Sequence, residues 1–294
     1  MRISLYILGL VFLLSSCELD AFMFNPDADI TEYKLDDYEG ESEIELGSQY
    51  DIDDSLVTLF TLAPNDDREN ELHVVYVGDI DRIAVDTVII YCHGNAGNLD
   101  YYWDRCKLLA NVGGKNRFGV MMMDYQGYGL SKGTASEENL INDVRDCLAW
   151  LKEHGLSDDR LISYGFSLGA TPSTYHASIN SIMNPAWHIL ETPFAGTEVI
   201  IQDASKLAMP SEFVVTAKHD VAQMIKSVYQ PFLWIHGIND SYLAIDTHGE
   251  VVFKNYTGQR GVPVRVEGGE HGDVPYVMGF EEYLQTVENF VFNN

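Results

Sequence analysis

Eight short, strand-like runs follow one another from residue 55 to the end of the chain. They are LVTLFTLAP, ELHVVYVGD, DTVIIYCHG, FGVMMMDYQG, RLISYGFSLG, AWHILETPF, QPFLWIHGIND and VPVRVEGGEH. The first two flank the turn sequence NDDREN and predict an antiparallel hairpin. Continuous apolar, β-branched runs such as DTVIIYC are typical of strands that are buried on both faces of a sheet.

Segments of helical periodicity separate the later runs. Residues 137–154 show one such repeat, which ends at His154-Gly155, and the last helix carries an apolar stripe. The stripe consists of Phe280, Tyr283, Leu284, Val287, Phe290 and Val291. Strands that alternate with helices predict an α/β domain over residues 55–294, with a mostly parallel sheet covered on both faces. Ligands bind at the carboxyl edge of such a sheet, so residues that carry chemistry should directly follow strands.

The sequence Gly165-Phe166-Ser167-Leu168-Gly169 lies directly after the strand-like LISY and before the helix-like ATPSTYHAS. This G-x-S-x-G pattern between a strand and a helix is typical of a nucleophilic serine held on a strained turn. A serine becomes a good nucleophile only when it is exposed and oriented toward a base. Ser167 is therefore the candidate nucleophile, and a plain glycine-rich turn is the alternative.

Two further candidates follow the last two strand-like runs. Asp240 comes after PFLWI, and His271 comes after VPVRV. The chain order Ser167, Asp240, His271 is the order expected for a serine triad built on this kind of turn. In such a triad His271 takes the serine proton as general base, while Asp240 orients the imidazole and stabilises its positive charge.

Other side chains compete for these roles. Glu191 also ends a strand and is the alternative acid, whereas Asp124 ends its strand in a turn that we interpret as structural. Among the other histidines, we expect His236 to brace the loop of the acid. We expect His219 and His248 at the protein surface.

The segment His93-Gly94-Asn95-Ala96-Gly97-Asn98 follows DTVIIYC. Small residues let backbone N–H groups approach a developing oxyanion. We predict that the amides of Asn95 and Leu168 form this oxyanion hole, and a simple glycine turn is the alternative. The segment lacks the G-K-[ST] and G-x-G-x-x-G spacings of phosphate and dinucleotide sites, so no cofactor is expected.

Five segments together resemble the α/β-hydrolase superfamily. They are HGNAGN at 93–98, DYQGYGLSKG at 124–133, GFSLG at 165–169, HGIND at 236–240 and GGEHGD at 268–273. Within it they look like compact serine hydrolases of the serine-aminopeptidase-like and acyl-thioesterase-like groups. The resemblance implies an eight-stranded, mostly parallel, twisted sheet, with Ser167 as nucleophile, Asp240 as acid and His271 as base. Haloalkane dehalogenases and epoxide hydrolases of this fold are disfavoured, since they carry Asp where Ser167 stands.

A cap, when members of this superfamily have one, usually follows the sixth strand. Here that connection is residues 195–229, which leaves room for a small cap at most. A small cap suits short acyl groups or a flexible chain end.

The first seventeen residues have the pattern of an export signal. Arg2 precedes ISLYILGLVFLLSS, a run shorter than the about 20 residues that a bilayer-spanning helix needs. Leu14-Ser15-Ser16-Cys17 resembles a bacterial lipobox, which predicts a signal peptide at 1–16 and lipidation of Cys17. The mature protein would be exported and lipid-anchored in the cell envelope. An ordinary signal peptide or an N-terminal anchor are the alternatives.

Residues 17–54 are acidic and lack periodicity, so we expect a lipid-anchor tether followed by a peripheral segment. The run EGESEIELG is interpreted as a solvated loop, because no D-x-D-x-D-G calcium loop is present. The whole chain carries 45 acidic and 18 basic residues, a formal net charge of −27. Such a charge argues against nucleic-acid binding and against docking on anionic lipid, which leaves the anchor as the membrane contact.

Cys92, Cys106 and Cys147 would remain after export. None forms a CxxC pair, so no metal site is expected, and buried free thiols are the simplest interpretation. A disulfide between Cys106 and Cys147 stays open, because the sequence does not fix the distance between their Cα atoms.

The leading hypothesis is a serine hydrolase that cleaves an ester, thioester or amide of a small-molecule or acylated substrate. An aminopeptidase-like peptidase is one alternative. A non-catalytic envelope protein that keeps the fold for binding is another. The sequence leaves the acyl group, the leaving group and the oligomeric state open.

Overall fold

The computed structural model describes residues 23–63, 71–114, 117–205 and 218–293. The predicted signal peptide at 1–16 and the predicted lipidation site Cys17 lie outside the described residues. Within those ranges, no helix combines the length and the apolar character that crossing a bilayer requires.

One eight-stranded sheet organises the domain. Its strands are β1 Val57–Leu62, β2 Leu72–Val77, β3 Val88–Cys92, β4 Gly119–Met123, β5 Leu161–Phe166, β6 Trp187–Glu191, β7 Phe232–Gly237 and β8 Gly261–Val266. Their spatial order is β8-β7-β6-β5-β3-β4-β2-β1. β2 pairs antiparallel with β1 and with β4, and every other pairing in the sheet is parallel. The predicted antiparallel pairing of the first two strands and the predicted mostly parallel sheet are confirmed, while the predicted turn NDDREN lies outside the described residues.

Helices cover both faces of this sheet. They are α1 Trp103–Ala110, α2 Glu137–Glu153, α3 Ala170–Ser178, α4 Thr197–Ser205, α5 Val221–Met224, α6 Gly249–Asn255, α7 Val274–Met278 and α8 Phe280–Phe292. One core cluster joins the sheet to α2, α3, α5 and α6, and a second joins it to α1 and α8. The predicted stripe of the last helix is buried from Tyr283 to Val291 in the second cluster.

Strand β3 is apolar at every position, because both of its faces are buried. Val88, Ile90 and Cys92 belong to one core cluster, while Ile89 and Tyr91 belong to the other. Successive side chains of a strand point to opposite faces, so a strand covered on both sides needs apolar residues at every position.

The three described cysteines are free and buried. Cys106 lies in the cluster on one face of the sheet, and Cys147 lies in the cluster on the other. The sheet therefore separates the two thiols, which rules out the disulfide that the sequence left open.

The N-terminal segment, residues 23–54, packs along the domain. Asn25–Pro26 pairs in parallel with Ala96–Gly97, and Tyr50 enters a core cluster. The expectation of a solvated loop over EGESEIELG is wrong at two positions. Ile44 is fully buried, and Glu41 is buried because it pairs with Arg105 of α1.

The connection between β6 and β7 contains α4 and α5. Residues 206–217 between these helices lie outside the described residues. The small cap therefore stays a prediction.

Candidate active site

The turn after β5 holds Ser167 in a strained conformation. Its φ is +50°, in the left-handed region that side-chain-bearing residues rarely adopt. The glycines on either side make this turn sterically feasible. A Cβ on Gly165 would lie 2.2 Å from the Ser173 hydroxyl, and a Cβ on Gly169 would lie 1.9 Å from the Cys92 carbonyl oxygen. The G-x-S-x-G spacing therefore follows from the tight packing of this turn against β3 and α3.

Three side chains from three strand ends form one hydrogen-bonded chain. The Ser167 hydroxyl lies 2.9 Å from Nε2 of His271, and Nδ1 of His271 lies 2.8 Å from Oδ2 of Asp240. Ser167 follows β5, Asp240 follows β7 and His271 follows β8, so the parallel strands bring all three to one edge. In this geometry the serine proton can pass to Nε2 while Nδ1–H donates to the carboxylate.

The surroundings of Asp240 keep its carboxyl group ionised. Oδ1 accepts hydrogen bonds from the backbone N–H groups of Tyr242 and Leu243, at 2.9 and 2.7 Å. Burial acts to raise the pKa of Asp240, but hydrogen bonds from His236 and His271 outweigh it and hold this pKa well below its ordinary value. Nε2 of His236 lies 3.2 Å from Oδ2, so His236 braces the acid loop, as its position at the end of β7 suggested.

The two alternative acids, Glu191 and Asp124, form hydrogen bonds with partners other than His271. Glu191 accepts from Arg105 at 2.6 Å and from Tyr164 and Tyr283 at 2.5 and 2.7 Å. Asp124 is fully buried, accepts from Tyr33 at 2.7 Å, and has its pKa raised to about 8 by burial. Asp240 is the acid that contacts His271.

The candidate nucleophile opens into a cavity of about 270 Å³. The residues that line it are Asn25, Glu41, Glu43, Asn95, Ala96, Tyr101, Tyr102, Phe166, Ser167, Tyr242, His271 and Gly272. Three of them belong to the N-terminal segment, so that segment forms one wall of the cavity. The volume lies just below the roughly 300–1,000 Å³ typical of small-molecule sites.

Residues 87–186 match the family model for the α/β-hydrolase fold. Alpha/beta hydrolase domain-containing protein 17C of Mus musculus is 29% identical over 229 residues, 76% of this chain and 65% of that protein. The chain therefore spans less than two thirds of the length of this curated relative. The Pyrococcus furiosus esterase Pf2001 superposes with a TM-score of 0.67 at 16% identity, covering 92% of this chain and 97% of that one. The esterase RhEst1 of Rhodococcus sp. gives a TM-score of 0.59 at 16% identity, over 80% and 98%.

The chain has the α/β-hydrolase fold. A shared α/β-hydrolase fold does not fix the reaction, because one fold supports many chemistries.

In this α/β-hydrolase fold, the loop after β3 lies beside Ser167. Asn95 lines the same cavity, and its side-chain oxygen accepts from the backbone N–H of Asn25 at 2.8 Å and from the Tyr128 hydroxyl at 3.0 Å. Leu168 directly follows Ser167 in a short helical turn. Oxyanion binding by the backbone amides of Asn95 and Leu168 stays a prediction.

Two histidines lie elsewhere than the sequence suggested. His219 and His248 were expected at the surface, and both are buried. Nδ1 of His219 lies 3.1 Å from the Thr171 hydroxyl, and Nδ1 of His248 accepts from the Ala195 amide at 3.1 Å. Their partners come from distant parts of the chain, which a local pattern does not reveal.

Arg105 and Glu41 form a buried ion pair, which the local sequence pattern around either residue did not predict. Their side chains are 3% and 5% exposed, and the Nε–Oε2 distance is 2.5 Å. Burial acts to lower the pKa of Arg105, but the charges of Glu41 and Glu191 outweigh it and raise this pKa. Burial raises the pKa of Glu41 to about 7, against the partly compensating charge of Arg105. The guanidinium of Arg105 thus forms ion pairs with two buried carboxylates, those of Glu41 and Glu191.

No group of three His, Cys, Asp or Glu side chains in the described part of the chain has an arrangement that could hold a metal ion.

The raised pKa of Glu41 predicts a pH-dependent stability. Between its ordinary pKa of 4.5 and about 7, the folded state binds a proton that the unfolded state has released. The free energy of unfolding should therefore fall as pH rises through this window, by up to about 1.4 kcal/mol per pH unit for one proton. Glu41→Gln should flatten the slope in urea unfolding.

Glu45→Gln is the matched control, because Glu45 lies in the same segment but is exposed and does not contribute to the raised pKa of Glu41. It should keep the slope of the wild-type protein. Equal slopes for the Glu41→Gln variant and the wild type would show that Glu41 does not titrate in this window.

Proposed function

We propose that the protein is a serine hydrolase that cleaves a carboxylic ester, thioester or amide through an acyl-enzyme. The hydrogen-bonded chain from Ser167 through His271 to Asp240, which opens into a cavity, is the observation that carries this proposal. Nucleophile, base and orienting acid are within hydrogen-bonding distance of one another, which is the geometry that nucleophilic catalysis requires.

The proposed reaction has two half-reactions. Ser167 Oγ attacks the substrate carbonyl carbon while its proton passes to His271 Nε2, and the oxyanion forms beside the backbone amides of Asn95 and Leu168. The intermediate collapses, the bond to the leaving group breaks, and His271 returns the proton to that group. Water, deprotonated by His271, then attacks the acyl-enzyme, and Ser167 leaves with its proton restored.

The ionised carboxylate of Asp240 serves both steps. It stabilises the imidazolium that forms at His271 and keeps the imidazole in the tautomer that presents a free Nε2 to Ser167. The two backbone amides and the histidine that hold Asp240 keep it in this orientation.

Labelling by a fluorophosphonate probe tests the proposal, because such probes react covalently with activated serines. The wild-type protein should be labelled and Ser167→Ala should not. Ester hydrolysis by Ser167→Ala should fall by about 10⁴-fold or more in kcat. Ser241→Ala is the matched control, since Ser241 is an exposed serine in the neighbouring acid loop. A folded wild-type protein that resists labelling would refute the hydrolase.

The cavity favours small acyl groups. Its volume of about 270 Å³ is bounded by the aromatic side chains of Tyr101, Tyr102, Phe166 and Tyr242. In a series of p-nitrophenyl esters, kcat/KM should be higher for acetate and butyrate than for decanoate and longer chains. The opposite order would contradict a short-acyl substrate.

The second candidate is an aminopeptidase-like activity, and one observation favours it. The exposed carboxylate of Glu43 lines the cavity, and no lysine or arginine is among its described lining residues. Such a wall suits a substrate that carries a cationic amine. Higher kcat/KM for aminoacyl-amides than for the short esters would establish this candidate over the esterase.

We also propose that Cys17 carries a lipid that anchors the exported protein in a bacterial cell envelope. The support is the sequence Leu14-Ser15-Ser16-Cys17 after a short apolar run with a basic start. In a bacterial host, the wild-type protein should incorporate labelled palmitate, and Cys17→Ser should not. Asp20→Asn should behave as wild type, and label retained in Cys17→Ser would contradict the anchor.

A further inference from the structure

Arg105 is buried, and a buried charge without a partner would destabilise the folded protein. It lies on α1 with its side chain 3% exposed, and a buried guanidinium is tolerated only when its donors are paired. Each described contact of its planar group reaches a different part of the chain. Such a planar group can hold several acceptors in fixed directions at the same time.

Three acceptors surround the guanidinium. Nε donates to Glu41 at 2.5 Å, Nη1 donates to Glu191 at 2.6 Å, and Nη2 donates to the carbonyl oxygen of Gly272 at 2.5 Å. The guanidinium carbon also lies 4.0 Å from the centroid of the Phe166 ring. One side chain thus connects the N-terminal segment, the end of β6, the loop after β8 and the end of β5.

Two of these contacts are next to the candidate catalytic residues. Gly272 directly follows His271, and Phe166 directly precedes Ser167. The rings of Phe166 and His271 lie 5.5 Å apart. A Cβ built on Gly272 would meet no atom within 4 Å, so the loop has open space on that side. The hydrogen bond from Arg105 therefore restrains the loop at the residue directly after His271, in addition to the hydrogen bonds that Glu270 forms with Ser241 and Asp273.

We propose that Arg105 is a positioning residue that fixes the His271 loop against Ser167, and that Glu41 of the N-terminal segment completes this clamp. This role rests on the proposed function, because it concerns the proton transfer between Ser167 and His271. A displacement of the base by about 1 Å can cost about 10²-fold in rate. The N-terminal segment then takes part in catalysis through Glu41 and Arg105.

The variant Arg105→Lys keeps a positive charge at this position but replaces the planar guanidinium by an ammonium group. Its ammonium can still pair with the buried carboxylates, but it lacks the planar fork that reaches Glu41, Glu191 and Gly272 together. Arg105→Lys should therefore keep more stability than Arg105→Met, which leaves two buried carboxylates without a cation. Both variants should lose the restraint on the loop.

The first experiment compares kcat and KM for these variants with a short p-nitrophenyl ester. Arg105→Lys and Arg105→Met should both lower kcat by about 10- to 100-fold, with KM changed less than about threefold. Urea unfolding should place Arg105→Lys between wild type and Arg105→Met in stability. A folded Arg105→Lys variant with kcat within about twofold of wild type would overturn the proposal.

The second experiment uses a matched pair of carboxylates from the N-terminal segment. Asp36 also binds α1, with Oδ1 at 2.5 Å from Nζ of Lys107 and 3.0 Å from Nε1 of Trp103. None of its described contacts reaches the His271 loop. At a pH above the pKa of about 7 of Glu41, Glu41→Gln should lower kcat at saturating substrate, whereas Asp36→Asn should keep the wild-type kcat. Equal values of kcat for the two variants would remove Glu41 from the clamp.

A third measurement separates failure of this role from failure of the proposed function. If the folded wild-type protein neither hydrolyses esters nor reacts with the fluorophosphonate, the proposed function fails. The downfield proton resonance of His271 Nδ1–H, assigned with a His271→Gln variant, still reports the loop geometry in that case. Arg105→Lys should shift or broaden this resonance and Asp36→Asn should not. An unchanged resonance in Arg105→Lys would overturn the positioning role.

Discussion

The close approach between the turn after β5 and the end of β3 is the constraint on which the site depends. Gly169 lies so near the Cys92 carbonyl that no larger residue fits there without a shift of the backbone. In this turn Ser167 adopts a left-handed conformation, and its hydroxyl lies within hydrogen-bonding distance of His271. The same turn approaches the carbonyl oxygen of His93, at the start of the loop that contains Asn95. The candidate nucleophile and the candidate oxyanion donors thus lie on two segments that pack closely against each other.

The parallel sheet brings the other two side chains of the proposed triad, Asp240 and His271, to Ser167. β7 and β8 end beside β5 and β6 at the same edge, so Asp240 and His271 arrive from loops anchored in the rigid part of the fold. Each loop has its own brace. His236 and two backbone amides hold Asp240, and Arg105 holds the carbonyl that follows His271. The groups that hold Asp240 lie within four residues of it, whereas Arg105 lies on α1, far from the His271 loop in sequence. The position of His271 therefore depends on a remote part of the chain.

The fold and the positions of the triad candidates could be predicted because their signals are local. A continuous apolar run such as that of β3 reports burial on both faces, and Gly165, Ser167 and Gly169 report a tight turn within five residues. The surroundings of His219, His248, Glu41 and Arg105 could not be predicted, because their partners are remote in sequence. The acidic composition around Glu41 pointed to solvent, and a cation about sixty positions away decided otherwise.

The long sequence separation between the site residues bears on the order in which the site forms. Ser167 and His271 are 104 positions apart, and Tyr50 reaches Glu281 across 231. Contacts this remote form slowly, because closing a long loop costs entropy before any contact compensates for it. The turn of Ser167 needs β3, β5 and α3, whereas the position of His271 also requires β8 and the docking of the N-terminal segment. The proposed reactivity of Ser167 is therefore a property of the nearly complete fold, and partly folded chains would carry the serine without its hydrogen-bonded histidine.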